Sequence, residues 1–224
     1  MIVFEPKEHR YFHQDTKEEY KSVSSVISQF KPHFDSDKWS KIIADREGVK
    51  QEDIIERWNK IRDDANEKGK RIHKNIELYL NDGKVEDTPF FKNFISLFEY
   101  EEREENSTIY SEKILYTHDY KVAGTSDIIE DCGRYFNVFD LKTNKKFSFI
   151  NKYNERMLPP LQHLSVCEYT SYSIQLSLYA FMYHKMTGKH VGKLKVLYNE
   201  DDKWMSIPMI YMKDTIEKIL PLIK

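Results

Sequence analysis

Residues 122–146 read VAGTSDIIEDCGRYFNVFDLKTNKK. Two apolar runs rich in Val, Ile and Phe flank Cys132-Gly133, a pattern that predicts strands over about 121–131 and 134–141 joined by a tight turn. Into these strands, otherwise suited to burial, the chain sets Asp127 and Asp140, with Lys142 two positions after the second acid. Side chains at i and i+2 share a face of a strand, so Asp140 and Lys142 point together while Leu141 enters the opposite layer. Burying such charges is costly unless they pair or hold a metal ion. Two readings follow: a partly buried ion pair of Lys142 with Asp140 or Asp127, or a divalent cation between clustered carboxylates that would otherwise repel.

Outward from this hairpin the pattern extends both ways. A strand over about 108–118 precedes it, across a turn at Asp119-Tyr120, and carries a third acid, Glu112, in YSEKILY. Before Asn106 the chain reads as mainly helical. VSSVISQF forms a short helix capped by Ser22 or Ser24 and halted near Pro32. Helices follow from Asp35 or Ser36 to about Glu47, from Gln51 to about Leu80, and over about 89–103. Short strands at IVFE, RYFHQ and EEYKS come first. After the hairpin, residues 147–170 look irregular, YSIQLSLYAFMYHKM is helical up to Gly188, strands cover about 192–199 and 203–209, and a helix about 211–220 ends the chain. This order predicts an α/β layer fold with a mixed sheet. The 224 residues suit one domain spanning 1–224, mainly helical over about 22–105 and with its sheet core over about 106–210.

Composition narrows the classes. Against 35 Lys and Arg stand 37 Asp and Glu, a net charge of −2, so the chain is not a uniformly basic nucleic-acid binder, although a local basic surface remains open. Two cysteines, Cys132 and Cys167, are too few for a four-ligand zinc or iron–sulfur site or a disulfide framework, which points to a reducing compartment. No apolar run approaches the roughly 18–20 residues that span a bilayer, and MIVFEPKEHR is unlike a signal peptide. A cytoplasmic protein is expected, in whatever cell hosts it.

The triplet [DE]-x-K alone says little. It occurs seven times, and the expectation is that all but Asp140-Leu141-Lys142 lie in solvated loops or termini. Other features are more selective. Gly124-Thr125-Ser126-Asp127 is the sole G-x-x-D, and Gln175 begins the sole Q-x-x-x-Y, ending at Tyr179. On a helix Gln175 and Tyr179 share a face, as do His73 and Glu77. A histidine among oxygen ligands shifts preference toward Mn²⁺ over Mg²⁺, and Gly69, one turn before His73, leaves room for a close approach. Each has a plainer reading as well: a solvated histidine, or a polar stripe over an apolar helix. Lys68, Lys70, Arg71 and Lys74 surround His73. Lys145, Lys146 and Lys152 follow the strand, interleaved with Phe147, Phe149 and Tyr153, a mixture suited to phosphates and stacked bases.

In this order, His73, Glu112, the G-x-x-D ending at Asp127, Asp140-Leu141-Lys142-Thr143 and Gln175 to Tyr179 resemble the PD-(D/E)XK nuclease superfamily, in its RecB-like exonuclease branch. The interval of 13 residues from Asp127 to Asp140 also resembles that branch. SEKILY, VFDLKTNKK and YSIQLSLYAFMY look like the stand-alone exonucleases of phages and the mitochondrial genome maintenance exonuclease. The likeness covers about 20–200. With two cysteines the iron–sulfur staple of some relatives is impossible, and there is no G-x-x-x-x-G-K-[ST] motor loop.

The resemblance implies a restriction-endonuclease-like mixed sheet flanked by helices. It implies a DNA exonuclease acting from single-stranded ends in replication, recombination or repair, with one or two Mg²⁺ or Mn²⁺ ions. His73, Asp127, Asp140 and the Leu141 carbonyl are the implied ligands. Lys142 would orient water or stabilise charge, Glu112 would hold a second ion or a water, and Gln175 and Tyr179 would support Lys142 or the phosphate. Lys70, Arg71, Thr143, Lys145 and Lys146 would contact DNA. An endonuclease or nickase, and a non-catalytic recombination accessory protein, remain alternatives.

Overall fold

The structure is a computed structural model and describes residues 1–84 and 86–223. It opens with β1 (Ile2–Glu5), β2 (Arg10–His13) and β3 (Glu19–Ser22), then α1 (Val23–Ser28), α2 (Ser36–Glu47), α3 (Gln51–Asp82) and α4 (Pro89–Leu97). A π-helical turn, Phe98–Glu102, leads to β4 (Thr108–Thr117), β5 (Val122–Asp131) and β6 (Tyr135–Lys142). Then come α5 (Glu168–Thr187), β7 (His190–Glu200), β8 (Lys203–Pro208) and α6 (Lys213–Ile219). The strands form one eight-stranded mixed sheet in the order β1-β2-β3-β5-β6-β7-β8, with β4 on β5. The expected α/β class with helices flanking a mixed sheet is present. Among the described residues no helix is long and apolar enough to cross a membrane.

Local chemistry sets the helix ends. Ser22 accepts from the Ser25 N–H and Asp35 from the Lys38 N–H, each filling an orphan donor at a helix start. Gly48, Gly83 and Gly188 end α2, α3 and α5 in the left-handed conformation. Two apolar layers sandwich the sheet. On one face Ile72 and Ile76 of α3 and Phe94 of α4 pack with Phe98 on Ile128, Phe139 and Leu141. On the other α5, buried around most of its girth, packs on Ile129, Phe136 and Val138. Each fully buried side chain of this size contributes about 1.5–3 kcal/mol.

The sheet forks, and the fork positions the site. Along one edge β5 pairs antiparallel with β4. Its other edge is shared: β3 pairs parallel with Val122 and Ala123, and β6 pairs antiparallel from Ile128 to Asp131. Between those two partners Gly124–Asp127 has no strand on that side. β6 diverges beyond the Ile128–Phe139 pair, so Asp127, Asp140 and Lys142 lie where the strands part. The expectation that only one D-x-K lies on a strand needs correction, since Glu19-Tyr20-Lys21 lies on β3. That Glu19 is exposed and pairs with Arg10.

Candidate metal and catalytic site

Asp140 is 1% exposed. Its Oδ1 accepts from Gln175 Nε2 at 3.0 Å, and its Oδ2 faces Lys142 Nζ at 2.5 Å as an ion pair without an aligned hydrogen bond. Burial, and then Asp127, push the Asp140 carboxyl up to about 6 against the pull of Lys142. Burial opposes charge on Lys142, but Asp140 and Asp127 outweigh it and raise its pKa above the ordinary lysine value. The ammonium also lies 4.9 Å from the centre of the Tyr172 ring, which helps hold it charged. The ion-pair reading is therefore realised, yet it accounts for only half of the constellation.

The other half is across the fork. His73 Nδ1, on α3, lies 3.4 Å from Asp127 Oδ1 and 3.9 Å from Glu112 Oε1. One ligand atom from each of the three falls within 4.8 Å of the others, an arrangement that can hold a metal ion. Burial disfavours the imidazolium, but Asp127, Glu112 and Asp140 together raise His73 to about 10. Asp127 gains the reverse benefit: burial opposes its ionisation, while His73, Lys142 and the Leu141 N–H hold it below the usual carboxylate range. The Leu141 N–H donates to Asp127 Oδ2 at 2.7 Å, replacing the ladder partner lost where the strands part.

Glu112 reaches this cluster through an unusual backbone. It lies opposite Asp127 in the β4–β5 register, but its φ of 47° places it in the left-handed region and interrupts the ladder. For a residue other than glycine this costs roughly 1–2 kcal/mol, and such strain collects at functional sites. The conformation turns the carboxylate toward His73. Helices from both layers therefore meet at the fork, α3 supplying His73 and α5 supplying Gln175.

The fit for a divalent cation is favourable. Oxygen donors and one imidazole suit Mg²⁺ or Mn²⁺. The strained Glu112, and Asp140 Oδ2, which is met by the Lys142 ammonium and by no neutral donor, are what a cation at this place would use. A groove of about 1030 Å³ opens over His73, Glu112 and Gln175, bordered by Tyr11, Ser24, Lys31, Lys70 and Tyr172.

No protein-family model matches the chain, and no curated protein matches it. Among solved structures, a protein named SSO0001 aligns over 93% of this chain and 75% of its own, with 15% identity and a TM-score of 0.43. A provisionally named exonuclease from Eubacterium rectale aligns over 90% of this chain and 77% of its own, with 11% identity and a TM-score of 0.39. Likeness at this level identifies neither family nor activity, so the site's own chemistry must carry the reading.

Seven of the expected residues gather at the fork: His73, Glu112, Asp127, Asp140, Leu141, Lys142 and Gln175. Tyr179, buried beneath them, accepts from Gln175 Nε2 at 3.3 Å. Gln175 supports Asp140 rather than Lys142. Leu141 engages through its N–H. Glu77 pairs with Lys74 instead of joining His73. Gly69 is not a close-approach position, because a Cβ there would have Thr143 Oγ1 as nearest neighbour at 4.0 Å. Lys70 lines the groove, whereas Arg71, Lys145 and Lys146 are exposed outside its wall. Sequence reasoning missed Tyr172, whose ring faces Lys142 and whose hydroxyl donates to Asn144 Oδ1 at 3.1 Å. Its spacing of three from Gln175 was the available signal.

Proposed function

We propose that this chain is a metal-dependent deoxyribonuclease of the PD-(D/E)XK type that hydrolyses DNA phosphodiesters from single-stranded ends. The observation that carries the proposal is the convergence of His73, Glu112 and Asp127 with the buried Asp140–Lys142 pair at one strand divergence. His73, Asp127 and Glu112 would hold a Mg²⁺ or Mn²⁺ ion, with Asp140 and the Leu141 carbonyl completing its oxygen ligands. Such an ion lowers the pKa of water and polarises a phosphodiester. Lys142 keeps its proton beside Asp140, so it serves as a fixed cation for charge that develops on the phosphate rather than as a base. Gln175 fixes the Asp140 rotamer, and Tyr179, its pKa raised well above the ordinary tyrosine value chiefly by burial, stays a neutral hydrogen-bond partner. Lys70 and Thr143 flank the groove, and Arg71, Lys145 and Lys146 extend a cationic surface beyond it. The 1–224 chain acts as one nuclease domain on this reading.

The test is digestion of 5′- and 3′-labelled single- and double-stranded DNA with and without Mg²⁺ or Mn²⁺, alongside Asp140→Ala and Lys142→Ala. Cleavage is expected to need the metal and to fall at least about 10³-fold in either variant while each remains folded by circular dichroism. Undiminished cleavage by both would sink the proposal. A circular single strand separates the readings, since an exonuclease cannot begin on it and an endonuclease or nickase can.

A further inference from the structure

The segment between β6 and α5 shows little regular structure, yet it is firmly held. Asn151 Oδ1 accepts from the Tyr153 N–H at 2.8 Å, and its amide donates to the Val166 carbonyl at 2.9 Å. Ser165 Oγ accepts from the Asn151 N–H at 2.8 Å, Arg156 pairs with Ser165, and the Met157 and Val166 N–H groups donate to Leu164 and Glu155. The base is anchored too. Glu168 at the start of α5 accepts from the Ser148 N–H, and the Tyr169 N–H donates to the Ser148 carbonyl. A segment pinned this way has its tip conformation set before any partner arrives, which reduces the ordering cost of binding.

What that frame presents is unexpected for a solvated loop. Phe149 is 60% exposed, Ile150 75% and Tyr153 83%. Phe147 differs, packing inward against Tyr172 and Tyr198. In sequence the three exposed side chains are flanked by Lys145, Lys146, Lys152 and Arg156 against the acid Glu155, while Glu168 is turned to Ser148 at the base of the segment. None of these four cations forms an ion pair among the described residues, although Lys152 lies 5.7 Å from the Tyr153 ring centre. In a chain of net charge −2 this is a locally cationic, aromatic surface.

Its position adds a second line of argument. The segment leaves directly from Lys142, and Asn144 is tied to Tyr172 and Tyr198 by their hydroxyls. At its far end the Leu158 N–H donates to the Phe30 carbonyl at 2.8 Å. The next residue, Lys31, lines the groove over the site, and burial lowers its pKa. The segment that carries this surface is thus anchored at both ends beside the groove, near Tyr172 and Lys31.

We infer that Phe149, Ile150 and Tyr153 form a stacking platform for unpaired nucleobases of a strand whose phosphates run along Lys31, Lys145, Lys146 and Lys152. The inference rests on the nuclease reading for its ligand, and it deepens that reading by assigning a base-contacting subsite beyond the scissile phosphate. Flat rings with flanking cations suit a single strand, because every base has a π-face and unpaired bases are free to stack. A protein partner would have to bring acids to meet these cations, whereas a nucleic-acid strand carries a phosphate at every step.

The experiment measures binding of a fluorescein-labelled oligo(dT) 20-mer by anisotropy in EDTA, with wild type, Tyr153→Ala, Tyr153→Phe and Ile150→Ser. Hydrolysis of bis(p-nitrophenyl) phosphate with Mn²⁺ is measured in parallel. Tyr153→Ala should weaken binding about tenfold and Ile150→Ser less, Tyr153→Phe should stay near wild type, and hydrolysis of the small diester should be unchanged. Equal binding by wild type and Tyr153→Ala overturns the platform, as does failure of the wild type to bind the oligonucleotide. Loss of a self-association seen by sedimentation, with DNA binding unaltered, overturns it in favour of a protein interface. If the oligonucleotide binds through Tyr153 but neither DNA nor the small diester is cleaved with metal, the platform stands and the nuclease reading falls.

Discussion

Asp140 and His73 are perturbed in ways that one bound cation would relieve. Burial and Asp127 lift Asp140 to about 6, so near neutral pH its charge is retained only narrowly. Three carboxylates overcome burial to lift His73 to about 10, so at pH 7 the metal-free site holds an imidazolium where a metal would lie. A metal takes neutral imidazole, so binding must expel that proton. Calorimetry of Mn²⁺ binding at pH 7, in buffers of different ionisation enthalpy, is expected to show about one proton released. His73→Gln should abolish the release and weaken binding. The sign for Asp140 follows from its raised value: an acid is charged only above its pKa, so metal affinity, already falling with pH because His73 must lose its proton, should fall more steeply below about 6. Equal affinities at pH 5 and pH 7.5 would contradict this account.

On β5 the decisive position is Gly124. A Cβ there would lie 2.8 Å from both Tyr179 Cε1 and Val23 Cγ2, and both side chains are buried. The glycine thus permits close packing of α1 and α5 on the strand just before Asp127. Gly124→Ala is expected to cost about 1–3 kcal/mol by overpacking and to displace Tyr179 from Gln175, slowing cleavage. Val23→Ala in that background should recover part of the stability, read by urea denaturation. A Gly124→Ala protein as stable and active as wild type would refute the close-approach role. Much at this scale was legible. The strands β4, β5 and β6 fall within a residue or two of their expected bounds because their apolar runs end in clear turns, and α3 because Asn81-Asp82-Gly83 stops it. The start of α5 was placed at Tyr172 instead of Glu168, since Tyr169-Thr170-Ser171 offers no apolar period and no capping hydroxyl before it. The left-handed Glu112 had no local signal, being flanked by ordinary strand residues. Nor did the fork, because the β3–β5 pairing joins segments about a hundred residues apart and depends on tertiary contacts.

Across the whole molecule, the two apolar layers share one sheet, and a second buried carboxylate locks its centre. Glu130 of β5 is fully buried. Its Oε1 accepts from the Glu104 N–H and Ser107 hydroxyl, each at 2.7 Å, and its Oε2 accepts from Asn137 Nδ2 at 2.7 Å. Asn137 Oδ1 in turn accepts from the Lys193 N–H at 2.7 Å. The network thus joins the segment before β4, β5, β6 and β7. It differs from the fork in its partners: Glu130 is held by neutral donors, whereas Asp140 Oδ2 meets the Lys142 ammonium beside a second carboxylate, Asp127. Burial alone therefore does not mark a site, and several charged groups gathered in burial, as with His73, Asp127, Asp140 and Lys142, are the better indicator. Glu130→Ala would strand the buried Asn137 amide and the half-buried Glu104 N–H, while the Ser107 hydroxyl keeps the Glu104 carbonyl, and should cost about 2–4 kcal/mol. Glu130→Gln keeps one acceptor oxygen for Glu104 and Ser107, but sets its own amide hydrogens against those of Asn137, so about 1–2 kcal/mol is expected. Guanidinium denaturation should therefore rank wild type above Glu130→Gln and Glu130→Ala last. Mn²⁺ affinity of the folded fraction should remain unchanged in both, because no atom of this network touches His73, Asp127 or Asp140. Equal stability of the two variants would show that the carboxylate does not hold these strands together.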